Sequence, residues 1–357
     1  MKNILLNSSL CLALGMAASF SLSSCEEWTE VESLNINTPS FEEKNPQLYA
    51  DYLKDLNAFK ASDHHVLFVS INNVANPTKQ AERLTAMPDS LDYISLNNPT
   101  EVGPSLLEEM SEVRKKGTKV VYTISYPQFE DEWKAMLEVN PGLTAEEKQE
   151  YILKRAKEQL ALSDLYNYDG VILEYNGNSL TSMKDEVLRN YIARQKAFFD
   201  VFAAWKAERA DKSITFYGNA QYIAPDNMGF LKNCKHVIVK TALSTNESDL
   251  DVKILMAQQA GEDAKELYEG VNPIPLDNML ACVMMPQPDD KNKVIGYWGT
   301  VDGNNKVLAA VGAASWLWKP ATTYIRRGLF IMNVEGDYYD SNYSFLKSII
   351  FTMNPNK

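Results

Sequence analysis

Tyr168-Asp-Gly-Val-Ile-Leu-Glu-Tyr-Asn-Gly177 has the pattern of a buried parallel strand that carries polar side chains at its C-terminal end. An Asp-Gly turn precedes three apolar residues, and two polar positions, Glu174 and Asn176, follow them. Side chains alternate across a strand, so one face carries Gly170, Ile172, Glu174 and Asn176 and the other Val171, Leu173 and Tyr175. Glu174 and Asn176 are therefore predicted to point the same way, about 6 to 7 Å apart.

Seven more segments have the composition of short strands: 66–73, 92–98, 119–126, 213–221, 236–242, 278–287 and 328–335. Helical patterns separate them; one ends at Lys115-Lys116-Gly117 and another begins with a Thr144 to Glu147 capping box. Further helices are predicted from about residue 182, over 249–260, 306–316 and 343–353. Eight such units predict an α/β fold, the (β/α)8 TIM barrel. An open doubly wound sheet is the alternative, but the first turn lacks its usual glycines.

The C-terminal strand ends of a TIM barrel form its site, so the polar residues at those positions are candidates. Most carry amide side chains, which both donate and accept hydrogen bonds and therefore suit sugar hydroxyls. Asparagine is also common in turns, so the alternative is that these residues only form the loops after the strands. The candidates are Asn72, Asn73, Asn97, Asn98, Ser125, Tyr126, Glu174, Asn176, Tyr217, Asn219, Gln221, Lys240, Gln287, Asn333 and Glu335.

Aromatic residues at the same end of the barrel are further candidates, because the apolar face of a ligand can lie flat on indole and phenol rings. Trp298 falls in the segment after the seventh strand and is predicted to open on the barrel mouth. Trp316 and Trp318 are predicted to be core. A stripe at helical spacing is also predicted to be core; its members are Leu188, Tyr191, Ile192, Phe199 and Phe202.

The stretch 168–177 resembles the fourth-strand signature D-G-x-D-x-D-x-E of family 18 glycoside hydrolases, the chitinases and endo-β-N-acetylglucosaminidases. Asp169 and Gly170 match the signature, while Ile172 and Glu174 replace its second and third Asp, and Asn176 replaces its catalytic Glu. In that family the Glu protonates the glycosidic oxygen and the neighbouring Asp orients the substrate's N-acetyl group. The resemblance also implies a structural role for Asp169 and an N-acetyl contact for Tyr217.

Asn176 cannot act as a general acid, because a carboxamide has no titratable proton near neutral pH. The resemblance thus implies a barrel that binds N-acetylglucosamine-containing glycans, such as N-glycans or chitin-like chains, without cutting them. A strand bulge could instead bring Glu174 to the catalytic position, with Glu335 as a second carboxylate, in an active hydrolase. A third hypothesis is a structural barrel of an outer-membrane complex, and in a fourth Glu174 and Asn176 merely cap the strand.

The N-terminus has the pattern of a bacterial lipoprotein signal peptide, predicted over residues 1–24. A basic start and a short apolar run lead to Leu22-Ser-Ser-Cys25, so Cys25 is the predicted lipidated residue. Glu26 and Glu27 resemble the acidic tract that directs lipoproteins to the cell surface in Bacteroidota. An acidic tether is predicted over 25–58, with a short helix near 48–59, and the barrel over 59–357. Outer-membrane glycan transporter components are candidate partners.

Several function classes are disfavoured by composition. The net charge of -12 disfavours nucleic acid and anionic lipid surfaces as partners. The chain has only three histidines and no P-loop or dinucleotide fingerprint, so neither a metal site nor a cofactor is predicted. Cys234 and Cys282 are predicted to be buried free thiols, although their neighbouring strands leave pairing open.

Overall fold

The computed structural model describes residues 40–287, 290, 292–299 and 306–355. The chain divides into two compact units, residues 1–51 and 52–357. The predicted signal peptide, Cys25 and the first part of the predicted tether lie outside the described residues. In the first unit, Ser40 caps a short helix, α1, Phe41–Lys44, through the backbone N–H of Glu43. The predicted helix near 48–59 is confirmed as α2, Pro46–Ala61.

Eight parallel strands of the second unit close into a barrel in the order β1-β10-β7-β6-β5-β4-β3-β2. They are β1 Val66–Ile71, β2 Tyr93–Leu96, β3 Lys119–Ser125, β4 Gly170–Tyr175, β5 Ser213–Gly218, β6 Cys234–Val239, β7 Met279–Met284 and β10 Arg326–Met332. A two-stranded antiparallel pair, β8 Tyr297–Trp298 and β9 Val307–Leu308, lies between β7 and β10 in the chain. The predicted TIM barrel is confirmed.

The helices that follow the strands are α3 Pro104–Lys115, α4 Tyr126–Val139, α5 Ala145–Leu165, α6 Asp185–Ala207, α7 Glu247–Ala264, α8 Ala309–Trp316, α9 Glu335–Ser341 and α10 Ser344–Met353. The Thr144 to Glu147 capping box is present at the start of α5. None of the helices in the described part of the chain combines the length and the apolar character that a membrane span requires.

The two faces of β4 bury their side chains in different cores. Val171, Leu173 and Tyr175 face the helices and belong to the large outer core, whereas Ile172 belongs to the barrel interior with Phe68 and other residues of the neighbouring strands. The predicted alternation is therefore confirmed. It leaves the Glu174 and Asn176 side chains on the interior face at the C-terminal end of the strand.

Asp169 and Gly170 fix the N-terminal end of β4. A Cβ atom on residue 170 would collide with the backbone carbonyl oxygen of Ser213, so only glycine permits this approach of β5. The Asp169 carboxylate accepts hydrogen bonds from the Arg114 guanidinium and from the backbone N–H of Val120 on β3, each at 2.8 Å. The Asp-Gly pair is thus part of the strand packing, as the family resemblance implies for Asp169.

One of the two tryptophans predicted to be core is buried and the other is not. Trp316 is fully buried, and its indole N–H donates to Asp251 at 2.8 Å. Trp318 is 53% exposed, so the prediction for it is wrong. The α8 helix ends at Trp316, and the next turn places the Trp318 ring edge-on against His65, before the N-terminal end of β1. Cys234 and Cys282 are buried free thiols, as predicted.

Candidate active-site mouth

The C-terminal end of β4 presents a connected polar group at the barrel mouth. Glu174 accepts a hydrogen bond from the Ser125 hydroxyl through Oε2, at 2.7 Å, and from the Lys240 ammonium through Oε1, at 3.0 Å. The same ammonium donates to Asn176 Oδ1 at 2.9 Å. Ser125 ends β3 and Lys240 follows β6, so three strands supply this group. Each member was predicted from its position at a strand end.

The mouth is only partly open to solvent. The side chains of Glu174 and Lys240 are 18% and 35% exposed. Asn219, which follows β5, donates from its amide to the backbone carbonyl of Asn176 at 3.2 Å. This bond ties the end of β5 to the end of β4 and leaves the carbonyl oxygen of the Asn219 amide as a further acceptor.

Tyr217 lies beneath Lys240 inside the barrel, where sequence analysis placed it. The Lys240 ammonium lies 5.7 Å from the ring centroid, which is a cation–π distance. The tyrosine is 4% exposed, and among the described residues the hydrogen-bond partners of its hydroxyl are both sulfur atoms, Cys282 Sγ at 3.9 Å and Met332 Sδ at 4.0 Å. Burial raises the pKa of this phenol above its usual value, with smaller contributions from Cys282 and Glu174, so Tyr217 stays protonated. Burial likewise raises the pKa of the Cys282 thiol to about 12.

A second polar group joins the ends of β1, β2 and β10. The Asn97 amide donates to Asn72 Oδ1 at 2.9 Å, and the Asn72 amide donates to Glu335 Oε1. Asn72 and Asn97 are exposed, whereas Oε2 of Glu335 is buried and has no partner among the described residues. The backbone N–H of Asn333 donates to the Ser70 hydroxyl at 3.1 Å. These predicted residues do come together, but no contact joins them to Glu174.

Gln221 and Gln287 are less closely tied to the mouth. Gln221 lies in a short 3-10 helix, Ala220–Tyr222, and its Oε1 is buried without a hydrogen-bond partner in the described chain. Gln287 follows β7 and is exposed. Its side chain makes no hydrogen bond within the described ranges.

Trp298 is not a sugar platform in this structure. The residue is 5% exposed and lies on β8, with its indole ring against Gly312 of α8. A Cβ atom at position 312 would collide with that ring, which shows how closely the two pack. The prediction that Trp298 opens on the mouth is therefore wrong, because the β8–β9 pair turns the indole into the helix layer.

The bulge that would bring Glu174 to the catalytic position is absent between Gly170 and Tyr175. β4 pairs with β3 and with β5 in an unbroken parallel register over the whole strand. Asn176 is therefore the first residue after the strand, and its side chain accepts from Lys240 at the mouth.

A separate cavity of about 460 Å³ lies on the other side of Asn176, between β4 and helices α4, α5 and α6. Tyr126, Tyr175, Tyr191 and Arg194 line it, together with the ion-paired Glu130 and Lys148, whose charged atoms are 3.0 Å apart. Of the helical stripe predicted to be core, Phe199 and Phe202 are buried. The prediction is wrong for Leu188, Tyr191 and Ile192, which are half-buried, Tyr191 at the cavity wall. Arg194 was not predicted; an unpaired arginine on a helix has no sequence signal that separates it from a solvated one.

The three histidines lie away from the mouth. His64 and His65 precede β1, as predicted; His64 Nε2 lies 2.9 Å from the Asp92 carboxylate. His236 is on β6, where it packs edge-on against Phe68 and Tyr93. Within the described residues, no cluster of three or more histidine, cysteine, aspartate or glutamate side chains has the arrangement of a metal site.

Comparison with known proteins supports the fold and identifies the family. The sequence profile of the family described as "Glycoside hydrolase family 18, BT1044-like" matches residues 29–351. No curated protein matches the chain. Among solved structures, a selenomethionine BT1044 variant with a glutamate replaced by glutamine is 15% identical, with a TM-score of 0.60, over 89% of this chain and 96% of that chain.

Two further structures align over most of their own length. A GH18 chitinase from Pseudoalteromonas aurantia is 10% identical, with a TM-score of 0.49, over 80% of this chain and 99% of that chain. Human YKL-39, described as a pseudo-chitinase with retained chitooligosaccharide binding properties, is 10% identical, with a TM-score of 0.42, over 78% of this chain and 96% of that chain. The family profile spans most of the sequence, and the chain therefore belongs to glycoside hydrolase family 18, in its BT1044-like branch.

Proposed function

We propose that this protein is a cell-surface lipoprotein that binds N-acetylglucosamine-containing glycans, such as N-glycans or chitin-like chains, for uptake and does not cleave them. Membership of family 18 supports the substrate class. The signal-like sequence over 1–24 with Cys25 supports an outer-membrane lipid anchor, and Glu26 and Glu27 support exposure at the surface. In this proposal outer-membrane glycan transporter components receive the bound glycan.

One observation carries the proposal: Glu174 and Asn176 share the Lys240 ammonium at the barrel mouth. A glycosidase needs a carboxylic acid that presents its proton to the glycosidic oxygen. Asn176 stands at the position of that acid and has no such proton. Both oxygens of Glu174 already accept hydrogen bonds, from Ser125 and from Lys240, so neither is directed as a donor toward a ligand.

The same groups suit sugar hydroxyls. Ser125, Asn176, Asn219 and Lys240 supply both donors and acceptors at the ends of neighbouring strands. The Tyr217 hydroxyl beneath them contacts only two sulfur atoms, which are weak partners, and so retains capacity for an N-acetyl carbonyl. A few placed polar groups above an apolar floor are typical of small-ligand sites.

Calorimetric titration of the purified chain with chitotetraose and with a high-mannose glycopeptide tests the proposal. We expect at least one ligand to bind, and Asn176→Ala to weaken that binding about tenfold or more, because a lost polar contact costs about 1.4 kcal/mol or more. Asn190→Ala is the matched control, since Asn190 is an exposed asparagine on α6 outside the mouth and should leave the affinity unchanged. Unchanged affinity in Asn176→Ala would remove the mouth as the site.

An active hydrolase is the second candidate, because Glu174 places a carboxylate at the mouth of a family 18 barrel. The same glycans, assayed for released reducing ends, separate the two candidates. Release by the unaltered protein that disappears in Glu174→Gln would replace the binding proposal with the enzymatic one. Absence of both binding and release would favour the structural-barrel hypothesis.

A further inference from the structure

The cavity beside β4 presents hydrogen-bond donors without protein acceptors. The side-chain amide of Gln195 sets the direction of the hydrogen bonds that lead from it to Tyr175 and Tyr191 in the cavity wall. Its Oε1 accepts from the backbone N–H of Ala224 at 2.8 Å and from the Asn227 amide at 2.9 Å. A backbone N–H can only donate, so the Gln195 amide orientation follows, and its Nε2 must donate to the Tyr175 hydroxyl at 3.0 Å.

The next bond in this chain joins two tyrosines. The Tyr175 hydroxyl lies 3.2 Å from the Tyr191 hydroxyl. Tyr175 is 2% exposed, so its own proton needs an acceptor inside the protein, and the Tyr191 oxygen is the one within reach. The backbone N–H of Asn178 also donates to the Tyr191 oxygen, at 2.9 Å. With two donors already on that oxygen, the Tyr191 proton has no acceptor among the described residues and can point into the cavity.

Arg194 adds a charged donor to the same space. Arg194 lines the cavity, and its guanidinium forms no ion pair and no side-chain hydrogen bond with the residues that the structure describes. The other charged residues of the wall, Glu130 and Lys148, neutralise each other at 3.0 Å. The cavity therefore has a net positive charge in a chain whose net charge is -12.

We propose that this cavity binds the carboxylate of an acidic sugar, and that it does so on the same glycan whose neutral part occupies the barrel mouth. A guanidinium pairs bidentately with a carboxylate, and the Tyr191 hydroxyl adds a second donor. Asn176 connects the two sites: its side chain binds Lys240 in the mouth, and the residue also lines the cavity. The cavity volume of about 460 Å³ is within the range of sites for one or two sugar units.

The link to one glycan rests on the proposed function, whereas carboxylate binding by the cavity does not. The test titrates the purified chain with 3′-sialyl-N-acetyllactosamine, with neutral N-acetyllactosamine and with free N-acetylneuraminic acid. We expect the acidic trisaccharide to bind about tenfold more tightly than its neutral counterpart. Arg194→Gln should abolish that difference. Arg189→Gln, which removes an exposed arginine from the same helix outside the cavity, should keep it.

The ligands also separate failure of this inference from failure of the binding function. If the acidic trisaccharide and the neutral disaccharide bind equally and Arg194→Gln changes neither affinity, the cavity inference is overturned and the mouth proposal stands. If only free N-acetylneuraminic acid binds, in the unaltered protein and in Arg189→Gln but not in Arg194→Gln, the cavity inference stands without the glycan-binding function. If none of the three ligands binds, the cavity inference is overturned, and the titrations with chitotetraose and the high-mannose glycopeptide decide the mouth proposal separately. Tyr191→Phe, which removes only the hydroxyl donor, should weaken acidic-sugar binding by a smaller factor, about threefold.

Discussion

The two ends of β4 each carry a carboxylate in an ion pair, yet the two carboxylates do different things. The side chains of Asp169 and Glu174 are 17% and 18% exposed. Their cation partners are also equally near, Arg114 at 2.8 Å and Lys240 at 3.0 Å. Burial and ion pairing therefore do not distinguish the structural end of the strand from the candidate binding end.

The distinction lies in the remaining partners. Asp169 also accepts from the backbone N–H of Val120, and so joins β4 to β3. Asp92, which directly precedes β2, likewise accepts a hydrogen bond from the backbone N–H of Leu67 and so joins β2 to β1. Glu174 accepts only from side chains, which a ligand can displace without breaking a strand contact. A carboxylate bound to a neighbouring strand's backbone is a structural element, while one whose described partners are side chains remains available to a ligand.

The largest expected difference is in stability. Asp169→Ala should lower the free energy of unfolding by about 2 to 3 kcal/mol, because it leaves the Val120 N–H and the Arg114 guanidinium without their acceptor. The matched change at the other end, Glu174→Ala, should cost less than about 1 kcal/mol. Urea denaturation at pH 7 measures both variants. Equal losses in the two variants would contradict the proposed division between the ends.

Lowering the pH should lower the free energy of unfolding through His236, which lies near the N-terminal end of β6. Burial, together with the nearby Lys235 and Arg327 charges, lowers the pKa of this histidine from 6.5 to about 3, so the fold favours its neutral form. Its contribution to stability is therefore complete above pH 6.5 and is lost as the pH falls from 6.5 toward 3. Between pH 7 and pH 5 the loss should be about 2 kcal/mol.

His236→Phe isolates this effect from the titration of other groups. The imidazole Nδ1 is buried without a partner, and the ring packs against Phe68 and Tyr93, so phenylalanine fits the site chemically. Denaturant titration gives the free energy of unfolding at pH 7 and at pH 5. Between these two values it should fall by about 2 kcal/mol less in the variant than in the unaltered protein. The same pH effect in both proteins would show that other groups account for it.

The smallest effect is expected from the ion pair at the mouth itself. A double-mutant cycle with Glu174→Gln and Lys240→Met should give a coupling energy below about 1 kcal/mol, because Lys240 is partly exposed and the pair is screened by solvent. The same cycle on Asp169 and Arg114 should give a larger value, since the carboxylate there is fixed by the backbone as well. If the coupling energy between Glu174 and Lys240 equals that between Asp169 and Arg114, Glu174 also has a structural role.

Sequence patterns predicted the barrel because each element has a local signal. The apolar core of β4 between polar ends and the Thr144 to Glu147 box each mark an element without reference to distant residues. Trp298 and Trp318 were assigned the wrong environments for the opposite reason. Their exposure depends on how β8, β9 and the turn after α8 pack, and tryptophan itself carries no signal for that packing.

The sequence by itself determined the strand order along the chain, the two faces of β4 and the polar side chains at its C-terminal end. Only the tertiary structure decided that Lys240, 66 residues from Glu174 in the chain, reaches both Glu174 and Asn176. It also decided that Gln195 and Arg194 line the same cavity as two hydrogen-bonded tyrosines. The physical reason is that alternation and capping act over a few neighbouring residues. Partners across a barrel are instead set by closure and register, which bring together residues with no relation in the sequence.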